Sequence, residues 1–265
     1  MKILLIGCGH MGSAMLTGWL KRPDIVRIDV VDPTATAPDS PLVHMHTAMS
    51  PAIGTPDIAV LAVKPQVMGD VCTQIAPHLD QTVPVLSIAA GIPLTSLVRY
   101  LGSGRAYIRV MPNMPGAIGK GISGFYADPK VSGKQISMVE SLLSALGDFV
   151  QVSEESHIDS VTAVSGSGPA YVFALTEALE NAAKNLGLDE ALAARLARAT
   201  VIGAASLMDH EKDLKPSDLR RSVTSPGGTT AAALDVLSKN QALQTLLVDA
   251  VKAAQKRAQD LAQSQ

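Results

Sequence analysis

Up to about residue 152, short apolar runs alternate with stretches whose apolar residues recur every three or four positions. The runs are KILLIG (2–7), RIDVVD (27–32), IAVLAV (58–63), VPVLSIAA (83–90), AYIRVM (106–111) and DFVQV (148–152). A strand is apolar on both alternating faces only when both sides of its sheet are covered. Between the runs, MGSAMLTGWLK and PQVMGDVCTQIAPHL carry helical spacing, and KVSGKQISMVESLLSALG reads as a helix ending at Gly147. This alternation predicts an α/β domain with a mainly parallel sheet over residues 1–153.

From residue 154 to 265 the strand signals stop and an all-α domain is expected. PAYVFALTEALENAAKNLG puts Val172, Leu175, Leu179, Ala182 and Leu186 on one face, with Pro169 and Gly187 suited to its ends. EALAARLARATVIGAASLMDH is apolar around much of its circumference and asks for burial on several sides. A domain this small has little interior to offer, so a second subunit is expected to supply it. QALQTLLVDAVKAAQKRAQDLAQ is an amphipathic final helix.

Composition narrows the class. With 47% apolar and 17% charged residues the chain is globular, and a net charge of −2 without a long basic block argues against nucleic acid as partner. MKILLIG enters a strand directly, without a basic n-region or cleavage site, and no uninterrupted apolar run of membrane-spanning length is read. Cys8 and Cys72 are too few for a disulfide scaffold or zinc site and read as reduced thiols of a cytoplasmic protein. His44 and His46 alternate as on a strand, and no metal site is expected.

The most specific local signal follows the first run. Gly7-Cys8-Gly9-His10-Met11-Gly12 is G-x-G-x-x-G between a strand and a helix, the dinucleotide fingerprint in its required context. Gly7 permits the tight turn, Gly9 admits the pyrophosphate and Gly12 lets helix and strand approach, which makes the first domain Rossmann-type. His10 frames the loop. Asp32 ends the second run, where a carboxylate accepts from a ribose 2′-OH and repels a 2′-phosphate, favouring NADH. Later runs end in Ala62-Val63-Lys64-Pro65, Ile88-Ala89-Ala90-Gly91 and Met111-Pro112-Asn113, candidates for walls around the nicotinamide ribose. Lys64 reads equally as a solvated side chain, and Asn113 as a turn residue.

Two further glycine clusters interrupt the helical half. SGSGPAY (165–171) is either a tight helix start or a packing device. In VTSPGGTT (223–230), Pro226-Gly227-Gly228 turns the chain into AAALDVLSK, with Thr229 or Thr230 as the expected cap. Bare amides at a helix start, with the hydroxyls of Ser225, Thr229 and Thr230, suit a small carboxylate; the alternative is a capped helix after a bend. No Ser-His-Asp order or acid pair stands out, so a nicotinamide enzyme here suits a substrate needing little activation, such as an iminium.

Taken together, IGCGHMG, AVKPQ, RVMPNMP, SGSGPAY and LRRSVTSPGGTT, in this order and spacing, resemble the pyrroline-5-carboxylate reductases over nearly the whole chain. The resemblance implies NAD(P)H-dependent reduction of 1-pyrroline-5-carboxylate to L-proline, and an interlaced helical dimer able to build rings such as decamers. It implies nucleotide contacts from Ile6 to Met11, Ala62 to Pro65 and Ile88 to Ala90. It also implies that Ser225 and the Gly228, Thr229 and Thr230 backbone hold the substrate carboxylate. The Thr230 hydroxyl would lie near the ring nitrogen as partner and proton donor, and Glu155 would approach the substrate. Two departures stand out: Met114 replaces the threonine usual in MPNTP, and Val31-Asp32-Pro33 stands where many relatives grip a 2′-phosphate, against the family's usual NADPH.

Related imine or β-hydroxyacid reductases share the fingerprint. The latter carry a catalytic lysine in the second domain where this chain has Val172. A silent nucleotide-binding regulator would have no use for VTSPGGTT as a second, carboxylate-binding site.

Overall fold

The computed structural model describes residues 1–36 and 38–263. The chain forms two compact units, Met1–Pro169 together with the chain from Ala253 on, and Ala170–Lys252. The sequence pattern changes period near residue 153. By compactness, however, the segment up to Pro169 and the end of the last helix go with the first unit.

In the first unit, eight strands form one sheet: β1 (Lys2–Ile6), β2 (Arg27–Val31), β3 (Val43–His46), β4 (Ile58–Leu61), β5 (Val85–Ser87), β6 (Tyr107–Met111), β7 (Gly121–Ala127) and β8 (Gly147–Gln151). Their spatial order is β3-β2-β1-β4-β5-β6-β7-β8. The first six are parallel, and β7 turns antiparallel to β6 before β8 runs parallel to β7. Neighbours of β1 on its two sides follow from opposite winding directions, so the switch point lies at its carboxyl end.

Alternation along β1 shows why the run is apolar throughout. Ile3 and Leu5 enter one core with Trp19, Leu142 and Leu143, whereas Leu4 and Ile6 enter the other with Met68, Leu97 and Tyr107. The first core is closed by α1 (His10–Trp19) and α4 (Gly133–Ser144), the second by α2 (Met68–Ile75) and α3 (Leu94–Leu101). Trp19 Nε1 donates to Leu142 O at 3.1 Å, tying α1 to α4. The fold is thus Rossmann-like, as the alternating pattern indicates.

Several local outcomes differ from the sequence reading. α4 starts with a capping box between Ser132 and Gln135 but stops at Ser144. Gly147 instead opens β8 with φ +130°, where an added Cβ would lie 2.3 Å from Gly121 O. β7 and α3 were not among the elements read from the pattern. β7 is GISGFYA, punctuated by glycines whose reason is packing: a Cβ on Gly124 would meet Val161 at 2.6 Å.

The second unit is helical, built from α6 (Gly168–Asn185), α7 (Glu190–His210), α8 (Pro216–Ser222), α9 (Thr229–Ser238) and the start of α10 (Ala242–Gln263), while α5 (His157–Val161) belongs to the first. Its apolar side chains are open within the single chain: Phe173 is 67% exposed, Leu196 47% and Ile202 58%. Only Ala193 and Ala197 of α7 are buried. α7 is long and apolar enough to cross a membrane by length and composition, although Arg195 and Arg198 interrupt its apolar run.

Candidate functional site

The glycine loop is shaped by what a side chain would strike. Gly7 has φ +88°, and a Cβ there would meet Val63 Cγ1 at 2.7 Å and Ala62 O at 2.9 Å. On Gly12 it would meet Gly7 O at 2.6 Å. On Gly9, by contrast, it would have nothing within 4 Å. Two glycines are therefore demanded by the protein's own packing, and the third leaves room over the loop. Gly9 is the N-cap of α1 without a side-chain cap, so the first amides of that helix lack intrahelical partners. A backbone cradle with oriented N–H groups at a helix start fits a pyrophosphate.

Beside the loop lies a cavity of about 400 Å³, lined by Ile6, Gly7, Val31, Asp32, Val63 and His78 among others. It sits at the carboxyl ends of β1, β2 and β4, around the switch point, and its apolar walls with few polar groups suit a nucleoside. A larger concavity of about 630 Å³ opens at the amino ends of the strands, beside Met1, Pro84 and Ser132. No glycine loop lies there, and the nearby start of α4 is already capped.

Asp32 is more constrained than its position suggested. Oδ2 accepts from Cys8 N at 2.8 Å, and Oδ1 accepts from Thr34 N at 2.8 Å, Thr34 Oγ1 at 3.0 Å and Ala35 N at 3.0 Å. The carboxylate therefore fastens the glycine loop to the turn after β2. Burial pushes its pKa up, but the four hydrogen bonds outweigh this and hold it below the usual range. Burial, then the Asp32 charge, pushes the Cys8 thiol up.

Other expected wall residues cluster at the strand ends. Ala62 N donates to Ile6 O at 2.8 Å, setting Ala62 and Val63 against Gly7. Lys64 is exposed at the start of a 3₁₀ turn over Pro65–Val67. Ala89 is buried, and Ile88 and Ala90 are half-buried after β5. His10 and Met11 open α1, with His10 exposed. Met114 is 54% exposed.

Two candidate residues have partners within the protein. Glu155 Oε1 accepts from Leu94 N at 2.8 Å, at the first turn of α3, and lies 3.4 Å from Arg109 Nη1. Glu155 thus caps a helix and pairs with a buried arginine, which is a structural use of the carboxylate. Arg109 also meets Asp159 Oδ1 at 2.9 Å. This triad was missed, yet an arginine inside the apolar run AYIRVM was the available signal, because a buried guanidinium requires acidic partners. Asn113 is 8% exposed, with both ends of its side chain engaged by protein. At the sheet's other edge, His46 Nε2 lies 2.8 Å from Asp29 Oδ1, and Arg27 holds the same carboxylate at 2.6 and 2.7 Å.

In the second unit, Gly228 N donates to Ser225 O at 3.0 Å, closing a turn with Pro226 second and Gly227, φ +70°, third. Proline at the second position and a positive-φ glycine at the third define a type II turn. The N-cap of α9 is Gly228, not Thr229 or Thr230 as expected, and it has no side-chain cap. A Cβ on Gly228 would lie 2.3 Å from Ser225 Oγ, so that serine hydroxyl rests directly over the bare cap. Glycine at the cap leaves the threonine hydroxyls outside the capping geometry. Ser225, Thr229 and Thr230 therefore present hydroxyls around open helix-start amides, an arrangement with the chemistry to take a carboxylate.

A doubly wound sheet, a glycine cradle at its switch point and a nucleoside-sized cavity define the class: a nicotinamide-dinucleotide-dependent oxidoreductase fold followed by a helical unit. Residues 2–91 match the model for NADP oxidoreductase, coenzyme F420-dependent, and residues 155–261 match the model for pyrroline-5-carboxylate reductase dimerisation. A pyrroline-5-carboxylate reductase of Pseudomonas aeruginosa is 40% identical over 99% of this chain and 97% of its own length. Among solved structures, a pyrroline-5-carboxylate reductase from Coxiella burnetii superposes with TM-score 0.90 at 35% identity, covering 98% of this chain and 97% of that one. The Plasmodium falciparum pyrroline carboxylate reductase with NADP bound superposes with TM-score 0.83 at 28% identity, covering 98% of this chain and 99% of that one. The chain belongs to the pyrroline-5-carboxylate reductase family.

Proposed function

We propose that this protein reduces 1-pyrroline-5-carboxylate to L-proline, the last step of proline synthesis, with a reduced nicotinamide dinucleotide. The observation that carries the proposal is the pairing of two different anion-binding helix starts in one chain. One is the Gly9 cradle of α1, the other the Gly228 start of α9 with its free hydroxyls.

The coenzyme, when bound, supplies a hydride, and the bare Gly9 cap with the α1 amides would hold its pyrophosphate. Ser225 and the amides at Thr229 and Thr230 hold the substrate carboxylate, fixing the ring in orientation, whereas the Gly228 amide, a candidate from the sequence, is already taken by Ser225 O. Positioning does most of the work because a protonated imine is already electrophilic. The Thr230 hydroxyl, hydrogen-bonded to the ring nitrogen, would supply the single proton that makes the imine electrophilic and regain it from solvent; hydride on the carbon would then leave the neutral amine.

On coenzyme choice, the family habit and the residues pull apart. A fixed carboxylate at Asp32 in the nucleoside cavity, with no arginine or lysine lining it among the described residues, supports NADH as the better coenzyme. The working assembly is a homodimer in the cytoplasm, supported by the dimerisation match and the open apolar faces of α6 and α7. The same match covers α7, which supports a subunit contact as the use of its apolar surface.

The test is loss of nicotinamide absorbance on mixing purified protein, 1-pyrroline-5-carboxylate and each reduced coenzyme. Turnover with formation of proline is expected, with a higher kcat/KM for NADH. No turnover with either coenzyme would refute the activity, and a preference for NADPH would refute the role given to Asp32.

A further inference from the structure

Asn113 stands just past the carboxyl end of β6, the side of the sheet on which ligands of this fold sit. From sequence it was a candidate coenzyme contact, but its hydrogen bonds point elsewhere. Oδ1 accepts from Ile122 N at 3.0 Å, and Nδ2 donates to Ser165 O at 3.1 Å. An amide N–H only donates and a carbonyl only accepts, so the two partners fix which way the side chain lies. The residue is 8% exposed, and a Cβ on Gly121 would come within 2.8 Å of Oδ1, which shows how closely the chain has wrapped around it.

What Asn113 grips is unusual. Residues Thr162–Gly166 form one π turn, with Ser167 N donating to Thr162 O at 2.8 Å across five residues. Such widened turns are rare and recur at functional sites. The turn carries the first two residues of SGSGPAY, and the chain enters the helical unit at Ala170, a few residues on. It is seated on the same strand end by a second contact: a Cβ on Gly166 would lie 2.7 Å from Met111 Cε.

We infer that Asn113 is a positioning residue, whose side-chain amide pins the Ser165–Gly166 π turn to the carboxyl end of β6 and thereby sets the substrate geometry, without binding the coenzyme. The inference rests on the reductase reading above for its kinetic consequence, and on the two hydrogen bonds alone for its structural one.

The decisive variant is Asn113→Asp. Ionised, the new carboxylate can still accept from Ile122 N but has no proton for Ser165 O; protonated, its hydroxyl restores that donor. At neutral pH kcat should fall tenfold or more with a raised substrate KM, since displacement of about 1 Å costs on the order of 100-fold. The coenzyme dissociation constant, measured by calorimetry, should stay within about twofold, the spread expected when no contact is lost. The ratio of variant to wild-type kcat should recover as the pH is lowered and the carboxyl protonates. If Asn113→Asp folds poorly, Gly166→Ala displaces the same turn against the flexible end of Met111 and should give the same signature.

Coenzyme binding weakened in step with kcat would make Asn113 a coenzyme contact and overturn the inference, as would unchanged kinetics. Should the wild type fail to reduce the imine, the proposed function falls by itself. Hydrogen exchange over 162–167, compared between variant and wild type at equal pH, then decides the pinning: faster exchange in the variant supports it, and equal exchange overturns it.

Discussion

Thr230 is the second residue of α9, after a glycine that takes the cap and leaves the threonine hydroxyl out of it. A hydroxyl with no capping duty at a helix start is available for a proton, which is the use proposed for it. Thr230→Ala should lower kcat on the order of 100-fold, the lower end of the range for losing one positioned proton donor, and leave coenzyme affinity unchanged. Steady-state kinetics with calorimetry checks this, and an unaltered kcat would remove Thr230 from the mechanism. Which residues could be read from sequence follows a physical rule. Gly7 and Gly12 were legible because local geometry demands them, through the positive φ of Gly7 and the close approach of a Gly12 Cβ to Gly7 O, and Gly9 because it completes the spaced fingerprint between strand and helix. Glu155 and Asn113 were not, because the groups they bind lie 61 and 52 residues away and no local pattern records such a pairing.

Asp32 acts between elements, since its carboxylate joins the loop after β1 to the turn after β2. Its pKa in the fold lies below the ordinary carboxylate value, burial being outweighed by the hydrogen bonds from Cys8, Thr34 and Ala35. Such a group stabilises fully above its unfolded pKa of about 4, and the contribution is lost as pH falls through the lower folded value. Asp32→Asn should therefore melt below the wild type near neutrality, and the gap should close below about pH 4. Thermal melts across pH check this; a gap of constant size would show that the charge is not what ties the loops. At this scale the alternating runs revealed five parallel strands because both faces of each are buried. β7 escaped because Gly121 and Gly124 serve close packing and break the apolar run. The cap of α9 was misplaced for a related reason: threonine is the stronger capping residue, but the turn through Gly227 ends one residue earlier.

Across the whole molecule, the first unit buries two complete cores, whereas the second leaves Phe173, Leu196 and Ile202 open. Burying an aliphatic or aromatic side chain contributes about 1.5–3 kcal/mol, so a few of them supply ample drive for association. Sedimentation should show a dimer, and Ile202→Glu should weaken it on the order of 100-fold or more by placing a charge where an apolar side chain is covered. A wild-type monomer at micromolar concentration would contradict this. The apolar surplus was visible in the alanine-rich stretch of α7, although its partner was not. The central claim, that the protein delivers hydride to the imine carbon of a carboxylate-anchored ring, is tested most directly by label transfer. With coenzyme deuterated at the nicotinamide position that gives up hydride, the proline formed should carry one deuterium on the ring carbon beside nitrogen and distal to the carboxylate. Proline without that label, or deuterium at another carbon, would contradict the account.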